Sequence, residues 1–131
     1  MWKEGLMREF HWALSLSVAA CLMGAPAHAD RFDDRFGEVV VVTHVDVDPQ
    51  NVPVAEPLLV NFVIDSRNDR GVKSFTLITQ EGTDNHFQLI EVFRDMRAFD
   101  AHVSAAHTVT FRTNLDPLLG APYDERLYQV D

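Results

Sequence analysis

Residues 85–107 read Asn-His-Phe-Gln-Leu-Ile-Glu-Val-Phe-Arg-Asp-Met-Arg-Ala-Phe-Asp-Ala-His-Val-Ser-Ala-Ala-His. The first half is rich in β-formers, and Phe87, Leu89 and Phe93 recur with the period of two that a strand requires. From Met96 onward the period changes, and Met96, Phe99, Val103 and Ala106 form an apolar stripe at helical spacing. One strand therefore feeds one helix. Asp95 stands where the period changes, so its carboxylate is placed to accept the free amide protons of the first helical turn and to meet the positive end of the helix dipole.

Upstream, residues 38–48 carry four consecutive valines, Val39 to Val42, and then alternate, which marks a central strand. Val41, Thr43, Val45 and Val47 share one of its faces, and Val40, Val42, His44 and Asp46 the other. Pro49 lacks an amide proton and ends the ladder. Residues 53–65 have mostly helical spacing, with Asn51 as the best start and Pro57 as an internal cost, since a proline is comfortable only in the first turn. Residues 72–80 alternate as a second strand, with Val72, Ser74, Thr76 and Ile78 on one side. Gly82-Thr83-Asp84-Asn85 then turns the chain into the 86–93 strand as an antiparallel hairpin. Downstream, Phe111, Leu115 and Leu118 predict a further helical piece over 107–115, and residues 125–130 a last short strand.

The order is thus that of an α+β, ferredoxin-like β-α-β-β-α-β domain, with helices over one face of the sheet. The other face, with Val40 and Val42 beside His44 and with the apolar face of the third strand, is too apolar to stay wet on so small a domain. Homodimerisation is the expected way to cover it.

With 131 residues the chain has room for one domain. Residues 1–29 read as a secretory signal: Lys3 and Arg8 precede an apolar run from Trp12 to Met23, and Ala27-His28-Ala29 suits a signal peptidase. The run falls short of the ~20 residues of a membrane span, so no stable membrane insertion is expected. Cleavage would leave a polar lead-in, 30–37, and a domain over 38–131 in the periplasm or outside the cell. The single cysteine, Cys21, lies within the signal, where Val18-Ala19-Ala20-Cys21 loosely resembles a lipoprotein box and offers lipid anchoring as an alternative. Removing the signal takes away Lys3 and Arg8 together with Glu4 and Glu9, so the net charge stays at −9. That surface repels nucleic acid and anionic lipid, and leaves neutral or cationic small molecules or a second protein as partners.

The segments Asn85 to Asp95, Ala98 to His102, Ala106-His107-Thr108 with Phe111-Arg112, and Pro117 to Tyr128 together resemble the antibiotic biosynthesis monooxygenase domain, including its quinol monooxygenases. The resemblance implies a dimeric α+β barrel in which two such sheets pack face to face and each protomer encloses a small apolar cleft. It implies oxidation of a quinol-like or other electron-rich aromatic by dioxygen without metal or flavin. A non-catalytic dimeric module that binds a small hydrophobic ligand is the alternative. Many members carry tryptophan where Phe93 stands; phenylalanine keeps the wall and lacks the N–H donor.

Such chemistry needs a base to deprotonate the aromatic, apolar walls and a donor for the developing oxyanion. Histidine, unperturbed at about 6.5, is the first choice of base. His102 is the leading candidate, with a structural bond as its competing role. His44 is the second, with pairing to Asp46 as the alternative. His107, which opens the next helix, is the third. Phe93, Phe99 and Phe111 are the expected substrate walls. His86, beside the hairpin loop, is expected to face solvent. No metal is expected, because His102 and His107 lie five apart with no compact carboxylate or thiolate cluster, whereas a zinc motif on one helix face wants i, i+4 spacing.

Overall fold

The computed structural model describes residues 37–130; the expected signal and nearly all of the lead-in lie outside them. Four strands, β1 (Val39–Asp46), β2 (Val72–Thr79), β3 (His86–Phe93) and β4 (Asp124–Gln129), form one antiparallel sheet in the order β2-β3-β1-β4. Helices α1 (Val52–Ser66), α2 (Met96–Ser104) and α3 (Ala106–Leu115) complete a ferredoxin-like α+β fold. The sheet is open and does not close on itself. Among the described residues no helix is long and apolar enough to cross a membrane.

Alternation decides which side chains meet the helices. Val39, Val41, Thr43, Val45 and Val47 along the first strand, and Phe87, Leu89, Glu91 and Phe93 along the third, are all buried. Register puts Thr43 opposite Leu89 and Val41 opposite Glu91, so the two rows lie side by side under the helices. Helix α1 answers with Ala55, Leu59, Phe62 and Val63, α2 with Ala98, Phe99 and His102, and α3 with Thr108, Phe111 and Leu115. Phe62 ties three elements together, stacked on Phe111 with ring centroids 3.7 Å apart and edge-on to Phe75 at 5.3 Å. Burying each of these rings contributes about 2 kcal/mol.

Local signals explain most boundaries. Asp95 accepts the Ala98 N–H at 2.8 Å, as the change of period at that residue predicts, and the bond holds its carboxyl below the ordinary value, with the Arg94 side chain the largest cause. Asn51 holds the N-cap position of α1, as expected, but its side chain makes no cap bond there. The residue also ends a 3-10 turn, Pro49–Asn51, capped by Asp48, and its amide donates to the Leu118 carbonyl at 3.3 Å. Pro57 does lie inside α1, where it is solvent-facing and leaves the Pro53 carbonyl without its helical donor.

Two face assignments differ from the sequence reading. A register irregularity between Val72 and Ser74 lets Val72 pair with Phe93 and pack on the core together with Phe75, instead of joining Ser74, Thr76 and Ile78 on the far side. Phe87, Leu89 and Phe93 turn toward the helices, so the open face of the sheet is made by Val40, Val42, Ile90, Val92 and Tyr128, all partly or largely exposed.

Candidate functional site

Glu91 is the one acid on the buried face of β3, between Leu89 and Phe93, and it is 1 % exposed. Burial raises its pKa to about 8; nearby Glu125 adds to the rise, and Arg112 and Thr43 partly offset it. Thr43 Oγ1 donates to Glu91 Oε1 at 3.4 Å, and Glu91 Oε2 is buried with no partner. Arg112, from α3, pairs through Nη2 with Glu125, and its guanidinium carbon lies 5.2 Å from the centre of the Tyr123 ring. Its Nε is buried and unpartnered as well. Tyr123 has its hydroxyl pKa pushed up by burial and then by the Glu91 carboxylate. A cavity of about 190 Å3 opens onto Arg112 and Tyr123, with Leu115 and Leu119 as its apolar lining.

The acid and the arginine each keep one polar atom free in a desolvated place. A buried acceptor or donor without a partner costs about 1–3 kcal/mol, so each of these two atoms is a place where a ligand group or a water would be stabilising.

The histidines divide between the two sides of the sheet. His102 is 2 % exposed and sits among Phe62, Phe75 and Phe93, with ring centroids 5.2–5.6 Å away. Its Nδ1 bonds Asp69 Oδ2 at 2.7 Å, and burial lowers its pKa despite that carboxylate. His107 Nε2 reaches the same oxygen at 3.1 Å. His107 also lines a groove of about 290 Å3 between α1 and α3, with Leu58, Phe62, Asp65 and Phe111. Phe93 packs edge-on against Phe99 at 5.5 Å, so Phe93, Phe99, Phe111, His102 and His107 all lie on the helix side.

His44 does not join them. It projects from the opposite face of β1, where its Nδ1 lies 3.2 Å from Gln88 Nε2. Nor does it pair with Asp46, which bonds His86 Nδ1 at 2.6 Å. His86 is accordingly about two-fifths exposed and paired with an acid, not free in solvent.

Glu91, Arg112, Tyr123 and Asp69 were not singled out by the sequence reading as site residues. Glu91 left a trace, as a lone acid in phase with Phe87, Leu89 and Phe93. Asp69 left none, because it lies in an irregular turn and meets His102 across 33 positions.

The model of the antibiotic biosynthesis monooxygenase family matches residues 38–114. The chain belongs to that family. An uncharacterized protein of Synechocystis is 26% identical over 109 residues, covering 83% of this chain and 74% of its own. A solved structure from Mycobacterium tuberculosis is similar with a TM-score of 0.66 and 22% identity, over 70% of this chain and 92% of that one. A protein of Caulobacter crescentus, provisionally named an antibiotic biosynthesis monooxygenase, gives 0.70 and 14%, over 79% and 98%. These likenesses establish the fold, and the family description attaches monooxygenase chemistry to it. The buried Glu91, on β3, and Arg112, on α3, both lie within the matched segment.

Proposed function

We propose that the protein is an exported homodimer that oxidises a quinol-like, electron-rich aromatic with dioxygen, the substrate itself supplying the electrons. The observation that supports this reading is the buried Glu91–Arg112 constellation, with one unpartnered polar atom on each residue, and with Arg112 and Tyr123 lining an aromatic-sized cavity. A cavity of roughly 150 Å3 already accepts a benzene ring. Ionised Glu91 removes the hydroxyl proton, and Arg112 holds the resulting phenolate, which is rich enough to give an electron to dioxygen. Recombination places one oxygen atom on the ring. With a hydroquinone the products are the hydroxyquinone and one water.

This assignment moves the base from histidine to Glu91. His102 has its Nδ1 already bonded to Asp69 and packs among three phenylalanines, whereas the equally buried Glu91 keeps Oε2 without a partner. The two bases differ in pH dependence: a histidine base is fully active above about 7, whereas Glu91 gains activity through about 8. Purified protein should consume dioxygen with a hydroquinone in a one-to-one ratio and release no hydrogen peroxide. Binding of the aromatic with no oxygen uptake between pH 7 and 9.5 would instead identify a hydrophobic-ligand binding module.

The dimer rests on the open sheet face. Val40, Val42, Ile90 and Val92 form an apolar patch that helices do not cover, and Arg126 and Tyr128 from β4 border it. Facing a second copy would bury these side chains and complete a barrel. Ultracentrifugation should give a dimer for the native chain and a folded monomer for Ile90→Glu; a native monomer at micromolar concentration removes this part of the proposal.

A further inference from the structure

Away from the acid–arginine constellation, three segments bring metal-binding groups to one point. Asp69 comes from the turn after α1, His102 from the end of α2 and His107 from the start of α3. Both imidazoles aim a nitrogen at the same carboxylate oxygen, His102 Nδ1 at 2.7 Å and His107 Nε2 at 3.1 Å. The ligand atoms of the three residues lie within 4.8 Å of one another, and the two rings meet at 61° with centroids 5.8 Å apart.

From this geometry we infer that Asp69, His102 and His107 form a binding site for a divalent first-row transition-metal ion, of which zinc is the type. Two imidazoles and one carboxylate are the donor set such ions prefer, while calcium and magnesium favour all-oxygen sites. Donors around a tetrahedral ion with bonds of about 2.0–2.1 Å stand roughly 3.3 Å apart, so the carboxylate oxygen has to draw back by a few tenths of an ångström from each nitrogen, while the two nitrogens, within 4.8 Å of each other, close by about 1.5 Å at most. The partners that would move are the accessible ones: the His107 and Asp69 side chains are 26% and 23% exposed. His102 is the fixed ligand, held between Phe62, Phe75 and Phe93.

Access and charge agree with this assignment. His107 lines the groove between α1 and α3, and Asp65 on the same groove adds a second carboxylate along the way in. The chain carries a net charge of −9, which raises the local concentration of cations. Water from the groove completes the coordination shell. Bound there, the ion would staple the α1–β2 turn to the joint between α2 and α3, and so stabilise the native state by mass action. The ion takes no part in the oxidation proposed above, and its test does not depend on turnover.

The experiment uses the full chain after chelator treatment. Cobalt(II) should bind one per chain and develop the visible absorbance of a tetrahedral nitrogen–oxygen site, zinc should displace it, and either ion should raise the melting temperature by about 5 °C. His107→Gln and Asp69→Asn should each weaken binding by about 100-fold. Both residues are partly exposed, so these variants test the site without emptying the core. His86→Gln, on the other face of the sheet, serves as the control and should bind like the native chain. Absence of one-to-one binding, equal affinity in His107→Gln, or loss in His86→Gln would each overturn the assignment and leave the cluster as a histidine–carboxylate lock.

Discussion

Glu91→Gln is expected to lower the rate of aromatic oxidation by about 10²–10⁴-fold, the usual worth of a positioned general base, while making the protein more stable at alkaline pH. The two effects have one cause. Glu91 is buried without a full set of partners, and its pKa stands at about 8. An unfolded glutamate titrates near 4.3, so between that value and about 8 the folded protein holds a proton that the unfolded chain has lost. Stability is therefore fully present below the unfolded value and falls as pH rises through the folded one. The loss has a ceiling of about 5 kcal/mol, a large share of the ~5–15 kcal/mol of a typical domain.

Glutamine has the same shape and stays neutral, so it keeps the neighbourhood of Thr43 and removes the titration. Urea unfolding of native and variant protein should agree within about 1 kcal/mol at pH 5 and diverge by several at pH 9, with the variant the more stable. Taking the difference cancels the histidines, including His102, whose lowered pKa acts in the opposite direction below neutrality. Activity gives the complementary view: native kcat/KM should climb through about pH 8, and the variant should show no such limb. A native protein equally stable at pH 5 and 9 would show that Glu91 is not a buried acid. Unchanged turnover in the variant would return the role of base to His107, the histidine that lines a groove.

How far the sequence already carried these features depends on the range of the interactions that make them. The strand-to-helix junction at Asp95 was legible because its decisive bond, to Ala98 N–H, spans three residues. The alternation of β1 was legible too, and it separated Thr43 from His44 correctly. Alternation gives parity and not direction, however: which row faces the helices depends on where α1 to α3 pack. For that reason His44 could be grouped with His102 although the two lie on opposite sides of the sheet. Val72 changed face because the irregularity beside it is set by pairing with β3. The Asp69 contact was out of reach for the same reason, since nothing local to residues 66–71 points to α2. Glu91 was within reach, because an acid in phase with Phe87, Leu89 and Phe93 either breaks the core or serves a purpose in it.

Gly71→Ala is expected to cost about 2–4 kcal/mol, and the reason leads back to the histidine cluster. Gly71 has φ of +91°, beyond what an L side chain adopts without strain, and an added Cβ would meet the Cβ of Ala98 at 2.6 Å. The backbone cannot simply withdraw: the Gly71 carbonyl accepts the Arg94 N–H at 2.8 Å, and the Val72 N–H returns to the Asp69 carbonyl at 3.2 Å. The glycine thus lets the turn lie flat against α2, and that close approach sets where Asp69 stands relative to His102. Forcing the turn outward should lengthen the bond from Asp69 to His102. Because that bond is what holds the His102 pKa up against burial, the pKa should fall further in the variant, as read by NMR titration. A double-mutant cycle with Ala98→Gly separates the two costs: the clash should be relieved, giving a coupling of about 1–2 kcal/mol, while the strain at φ +91° remains. A Gly71→Ala variant within about 0.5 kcal/mol of the native protein, with His102 titrating as before, would show that the turn can retreat and that Asp69 is placed by its own contacts with the two histidines.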